Sequence, residues 1–168
     1  ARLNETGMKP EQHFKFISLL TYNWDSPNNN NRKYRQVFDK WELKYLGVEL
    51  SFYNKKFDEE EWTETVTFKA YSLKKGRKQE ELCSLEEIVL VNMHDNTVSV
   101  TKGWGNEEPG KGWERGEYLW EAYIGKVLAG SVKFYVEDVG VVDATTNPYF
   151  DVLSLKVYEG PDDGVADE

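Results

Sequence analysis

Few residue groups in this chain have the types and spacing to do chemistry. The nearest is Gly105-Asn106-Glu107-Glu108-Pro109-Gly110-Lys111, which fits the first seven positions of a phosphate-binding P-loop. The eighth should be Ser or Thr, to reach Mg²⁺, and here it is Gly112. A P-loop also opens a helix whose N-terminal N–H groups face the phosphate. The residues that follow instead alternate as a strand, and two glutamates inside the loop would repel an anion. No nucleotide binding is expected.

The metal and nucleophile candidates are weaker. His13 and His94 lie far apart, and neither has a Cys or His at ligand spacing. No ladder of Asp and Asn suggests a calcium loop. The acidic runs 58–61 and 159–168 read as solvated charge. Cys83, the one cysteine, has no partner for an intrachain disulfide and reads as a small, partly buried apolar residue. Nothing singles out a general acid and base. The expectation is a non-enzyme without cofactor or metal.

Binding chemistry is better represented. Trp104 and Trp113 lie in a glycine-rich stretch, 102–116, where exposed rings can anchor a ligand. The competing structural reading folds both rings back to cap the end of a domain. In Trp113-Glu114-Arg115-Gly116-Glu117-Tyr118, a glycine precedes a strand and a tyrosine follows two residues later. That is the pattern of a sandwich corner, where the tyrosine hydroxyl bonds back to upstream backbone. Gly116 and Tyr118 are therefore assigned to a structural corner.

The elements that must position these residues read as strands. Leu46, Val48, Leu50 and Phe52 alternate with Tyr45, Gly47, Glu49 and Ser51. Trp62, Val66, Phe68 and Ala70 share one parity, with a threonine-rich face opposite. Tyr118, Trp120, Ala122 and Ile124, then Val132, Phe134 and Val136, repeat the pattern. Period two marks strands half buried against a core. Inward positions should include Phe16, Val48, Leu50, Phe68, Trp120, Ala122, Val132 and Phe134. Ile88-Val89-Leu90-Val91 reads as a short apolar strand. Gln79–Glu87 is the one stretch that could be helical, although short and uncapped. Lys74, Lys75, Arg77 and Lys78 surround Gly76 and read as a solvated turn.

Length and composition agree with one all-β domain. The chain has 168 residues, and its 6 Trp, 10 Tyr and 8 Phe can build a core with few aliphatics. A net charge of −9 disfavours nucleic acid. No apolar run is long enough for a membrane-spanning helix. Both ends suit a piece excised from a longer protein.

Residues 1–12 read as a flexible leader, 13–140 as a β-sandwich module, and 141–168 as a linker plus the first strand of a truncated following module. That last reading rests on Phe14–Tyr22 and Phe150–Tyr158, identical at four of nine positions across a spacing of 136 residues. Two amphipathic strands can also look alike by chance.

Several short segments together resemble a bacterial tandem β-sandwich module of the immunoglobulin-like kind that accompanies AAA+ ATPase domains. They are Gly103-Trp104-Gly105, Gly112-Trp113 through Tyr118, Glu121-Ala122-Tyr123-Ile124-Gly125-Lys126 and Phe134-Tyr135-Val136. Tyr34 to Phe38 and Tyr45 to Phe52 look like its earlier strands, and Tyr149–Gly160 like the start of another module. The likeness covers roughly residues 13–160. The middle, around Lys74–Glu87, departs from it. The resemblance implies an immunoglobulin-like antiparallel sandwich acting as a non-catalytic protein-interaction or assembly module in the cytoplasm, with a protein partner or neighbouring domains of the same chain. The alternative is an extracellular carbohydrate-binding module that uses Trp104 and Trp113 as stacking platforms.

Overall fold

A computed structural model describes residues 12–24 and 32–138. Residues 1–11 of the leader 1–12, the loop residues 25–31 and the proposed second-module strand 150–158 lie outside the described residues. So does everything from 139 onward.

The described chain is all β: β1 (Phe14–Trp24), β2 (Lys33–Tyr34), β3 (Val37–Asp39), β4 (Tyr45–Asn54), β5 (Trp62–Lys74), β6 (Arg77–Val91), β7 (Thr97–Gly105), β8 (Gly116–Ile124) and β9 (Val127–Glu137). They form two packed sheets, in the orders β2-β1-β4-β7 and β3-β9-β8-β5-β6. All pairings are antiparallel except β3 on β9, where Val37, Phe38 and Asp39 run parallel to Tyr135, Val136 and Glu137. The expectation of a wholly antiparallel sandwich is corrected at that edge. No helix of the described residues is long and apolar enough to cross a membrane.

The inner faces are the ones the alternation marks. Leu46, Val48, Leu50 and Phe52 of β4 face Val66, Phe68 and Ala70 of β5, and Trp120, Ala122, Ile124, Phe134 and Val136 of β8 and β9; all are buried in one cluster. Rings fill most of the gap between the sheets. Phe68 meets Trp120 edge-on at 6.5 Å, and Trp120 stacks on Phe134 at 6.4 Å.

Four sequence expectations change. Phe16 is 40% exposed rather than buried: it shares the side of Phe14 but lies at the margin of the core, where its ring covers Gly130 of β9. The β1–β4 register shifts between Phe16 and Ser18, so that Phe14 is buried before the bulge and Leu19 after it. One extra residue reverses the parity of everything beyond it. Val132 is only half-buried and packs at the margin of the core. Residues 79–87 are strand, not helix: they belong to the fifteen-residue β6, hydrogen-bonded along β5. The departure around Lys74–Glu87 is thus a long hairpin, turned at Lys75 and Gly76 with φ of 54° and 78°. Finally, the loop expected over 102–116 starts later, because β7 continues through Gly105.

The core and the edge should therefore differ sharply in tolerance. Leu50→Ala should cost about 2–5 kcal/mol, whereas Ile88→Ala, on the open edge of β6, should stay within about 0.5 kcal/mol. Urea unfolding of the two variants checks this.

Candidate functional surface

The end of the sandwich holding Trp104, Trp113, Gly116 and Tyr118 is built around a buried indole. Trp113 is only 1% exposed. Its Nε1–H donates to the Trp104 carbonyl at 2.9 Å. Its ring meets Trp104, Tyr118 and Phe134 edge-on, with centroids at 5.3, 5.1 and 5.3 Å. Edge-to-face contacts suit ring quadrupoles and add to the area they bury. Trp104 is half-buried and packs against the same core.

Two stacking platforms need flat, exposed, roughly coplanar rings. Here the rings stand at 84° to each other, and one of them has no free face. Trp113 is a core residue.

Tyr118 lies flat on Phe134, at 5.2 Å and 12°. Its hydroxyl donates to the Glu114 carbonyl at 2.5 Å, four residues upstream. Burial pushes the phenol up to about 12, with the Glu114 charge adding in the same direction. Beside it Arg115 Nε donates to Glu137, a buried carboxylate, at 2.8 Å. Gly116 opens β8. A Cβ there would meet the Tyr118 ring at 3.7 Å, an ordinary contact, so glycine is not sterically required.

The Gly105–Lys111 segment runs from the end of β7 into a turn and then to β8, strand to strand. At Gly110, φ is +84°, and a Cβ would sit 2.6 Å from the Trp41 ring. Trp41 itself is 54% exposed, with the Lys40 ammonium 5.2 Å from its ring centre. Nothing near Gly110 in the sequence marks Trp41 as the ring that lies on it.

The histidines occupy the opposite end. His13 stands edge-on to Trp62 at 5.3 Å, and His94 lies 3.6 Å from Asp58, both exposed. That end is pinned by the buried Asn54. Its Oδ1 accepts from Trp62 Nε1 at 2.8 Å and from the Lys56 N–H at 2.9 Å, while its Nδ2 donates to the Asp95 carbonyl at 2.9 Å. Among the described residues no group of three or more His, Cys, Asp or Glu could hold a metal. Cys83 is half-buried on β6, and burial pushes its thiol up to about 11.

The two outer faces differ. On the four-stranded sheet, the Tyr22 ring lies across Gly47, where a Cβ would come within 2.3 Å. Arg32 covers Tyr22 from 5.0 Å, and Glu49 holds both Arg32 at 3.2 Å and the Tyr34 hydroxyl at 2.7 Å. Part of this face is thus covered by its own side chains, while Leu20, Tyr34 and Tyr53 stay 41%, 40% and 46% exposed.

On the five-stranded sheet, the buried Glu121 accepts from Lys78 at 2.6 Å and from the Tyr123 hydroxyl at 2.8 Å. Lys78 sits 4.4 Å over the Tyr71 ring. Beside this network lies a shallow hollow of about 380 Å³, lined by Thr67, Lys69, Ser84, Glu86, Tyr123 and Lys126. The basic cluster Lys74, Lys75, Arg77 and Lys78 is at the hairpin tip, where one of its four members is tied to Glu121. Further along β6, Ile88 is 75% and Leu90 54% exposed. The sequence carried a signal for these two: in a strand covered on one face, a run of four apolar residues must present two to solvent.

No protein-family model matches the chain, and no curated protein matches it. Among solved structures it is similar to a Paenibacillus sp. cycloisomaltooligosaccharide glucanotransferase, at 14% identity and TM-score 0.47 over 73% of this chain and 14% of that one. A Pseudomonas fluorescens alkylpurine DNA glycosylase is similar at 8% identity and TM-score 0.48, over 74% and 30% respectively. An Erythrobacter marinus β-glucosidase is similar at 15% identity and TM-score 0.46, over 74% and 15%. The chain spans less than a third of each of these proteins. Likeness at this level assigns no activity.

Tyr118 and Cys83 make the fold sensitive to alkali. Both are held protonated by folding, so their contribution is complete below their unfolded values and is lost as pH rises through about 11 and 12. Stability from urea titrations should be flat between neutral pH and about pH 8 on this account, then fall. Tyr118→Phe should remove the Tyr118 part of that fall. It should also cost about 1–3 kcal/mol at neutral pH by leaving the Glu114 carbonyl without its partner.

Proposed function

We propose that the chain is an immunoglobulin-like, non-catalytic interaction or assembly module of a larger protein, and that it docks through the five-stranded sheet. The strand order supports the immunoglobulin-like reading. β1, β4 and β7 take the places of strands A, B and E. β5, β8 and β9 take those of C, F and G, with β6 as C′ and β3 beside G. Tyr118 lies near the start of the F-like strand and bonds back to the Glu114 carbonyl, as a tyrosine corner does.

The observation that carries the interaction reading is the pair Ile88 and Leu90. They stand exposed on an edge strand of a sheet whose inner face packs against the core. Apolar side chains left out of the core on an open sheet edge mark a contact surface. The exposed apolar residues of the four-stranded sheet, among them Leu20, Tyr34 and Tyr53, are less exposed, at 41%, 40% and 46%. A cytoplasmic place beside an ATPase domain is the context the sequence resemblance implies. Carbohydrate stacking on Trp104 and Trp113 gains no support from perpendicular, inward-packed rings.

Cross-linking in cells that express the native protein tests this reading. Links to a partner should come from Lys69, Lys78 and Lys126, around the five-stranded sheet, rather than from Lys15 and Lys55 on the other side. They should disappear when Ile88→Lys and Leu90→Lys are combined. Links confined to Lys15 and Lys55, or turnover of a substrate by the purified chain, would overturn the reading.

A further inference from the structure

We infer that residues 83–91 of β6 form a strand-addition site for an extended partner segment in which apolar residues alternate with Lys or Arg. The inference rests on the interaction-module reading above and narrows it to one edge, one binding mode and one partner chemistry.

β6 ends the five-stranded sheet and, among the described residues, pairs only with β5. Its outer edge therefore presents backbone N–H and C=O groups without strand partners, and such an edge recruits another strand. The two halves of β6 are not equivalent. Register shifts fall between Ala70 and Tyr71 and between Ser72 and Leu73, opposite residues 78–83. Bulges bend an edge and hinder further pairing. From Cys83, opposite Ala70, to Val91, opposite Trp62, the register runs without interruption. The straight, pairing-competent half is thus the half that carries Ile88 and Leu90.

The side chains define the occupant. Leu90 is paired with Thr63 and Ile88 with Thr65, on the outer face, where an added strand would set apolar residues beside them. Glu86 shares that face, opposite Thr67. Glu87 has the other parity and reaches Lys102 at 3.3 Å, with 45% of its side chain still exposed. An incoming strand therefore meets two carboxylates and two apolar side chains within five residues. A second copy is a poor occupant, because antiparallel self-pairing over the whole of 83–91 is centred on Glu87 and sets that carboxylate against itself. Like charges directly opposite destabilise a pair, and opposite charges stabilise it. The chain's net charge of −9 disfavours its own approach and favours that of a basic segment.

The probe is a short capped peptide alternating lysine and valine. Its controls are the same sequence N-methylated along one edge, which keeps the charge but blocks backbone pairing, and a glutamate–valine counterpart. The lysine peptide should bind saturably and slow amide exchange across 83–91. N-methylation, the Ile88→Lys/Leu90→Lys pair and Glu86→Lys should each weaken it by about tenfold or more, roughly the loss of one or two strand contacts. All three side chains replaced are exposed, and circular dichroism verifies that the variants keep the β spectrum. Exchange in the unaltered protein gives a readout that needs no variant.

Equal binding of the N-methylated peptide would reduce the effect to charge attraction and overturn the inference. So would protection that falls elsewhere, or no binding at all. A dimer in sedimentation that the Ile88→Lys/Leu90→Lys pair dissociates would overturn it in favour of a second copy. If the peptide fails while cross-links still map to Lys69, Lys78 and Lys126, the strand-addition mode is wrong and the interaction module stands.

Discussion

The insertion of Trp113 between Tyr118, Phe134 and Trp104 is the contact on which the rest of the sandwich depends. A loop of ten residues joins β7 in one sheet to β8 in the other, and it must cross the open end of the core without leaving backbone groups unpaired. The indole solves both problems. Its ring fills the end of the core, and its N–H takes up the Trp104 carbonyl at the end of β7. The Tyr118 hydroxyl takes up the Glu114 carbonyl at the start of β8. With both ends of the crossing fixed, β8 enters the sheet in one register, and Tyr118, Trp120, Ala122 and Ile124 all face inward. β9 follows through the Gly125–Lys126 turn. The buried Glu137 at its end is then placed for Arg115, and its backbone for Lys40, which anchors β3 along the sheet edge.

What the sequence made legible follows from how locally each feature is determined. Alternation in β4, β5 and β8 is a property of consecutive residues, and the side chains it marked inward are buried. The Tyr118 corner is equally local, since donor and acceptor are four residues apart. The bulge in β1 is not. Whether Ile17 is an extra residue depends on how β1 meets β4, so the inward parity passes from Phe14 to Leu19 and Thr21 in a way that no local alternation marks. β6 misled for a related reason. Glu80, Glu81, Glu86 and Glu87 deprive it of a clean apolar face, and a glutamate-rich run has good helix propensity. Thirteen residues of β5 are waiting to pair with it, and that non-local template overrides propensity. Trp41 and Glu121 were invisible on the same principle, because the glycine or amine that gives each its role comes from elsewhere in the fold.

The sandwich treats its edges unequally. β2 and β3 are two and three residues long, and short strands offer little to a passing chain. β7 is a nine-residue edge as well, and the Lys102–Glu87 ion pair joins it to β6 across the two sheets. β1 carries its bulge in the stretch that β2 leaves uncovered. Short strands and bulges are recognised ways to keep an edge from pairing. β6 is the longest strand, and it applies such protection only to its first half.

Stability does not require that asymmetry. A bulge near Ile88 would twist the second half of the edge away as well, and a polar residue in place of Ile88 or Leu90 would cost the core nothing, because neither side chain reaches it. The sequence instead leaves the straight half apolar and guards it with charge alone, through Glu86 and Glu87. Charge is the one form of edge protection that discriminates. It repels an acidic strand, including a second copy of this chain, and attracts a basic one, whereas a bulge or a proline excludes both. An edge defended only by carboxylates is therefore closed to like and open to unlike, which is the property an assembly module of net negative charge needs if it is to join a partner without joining itself.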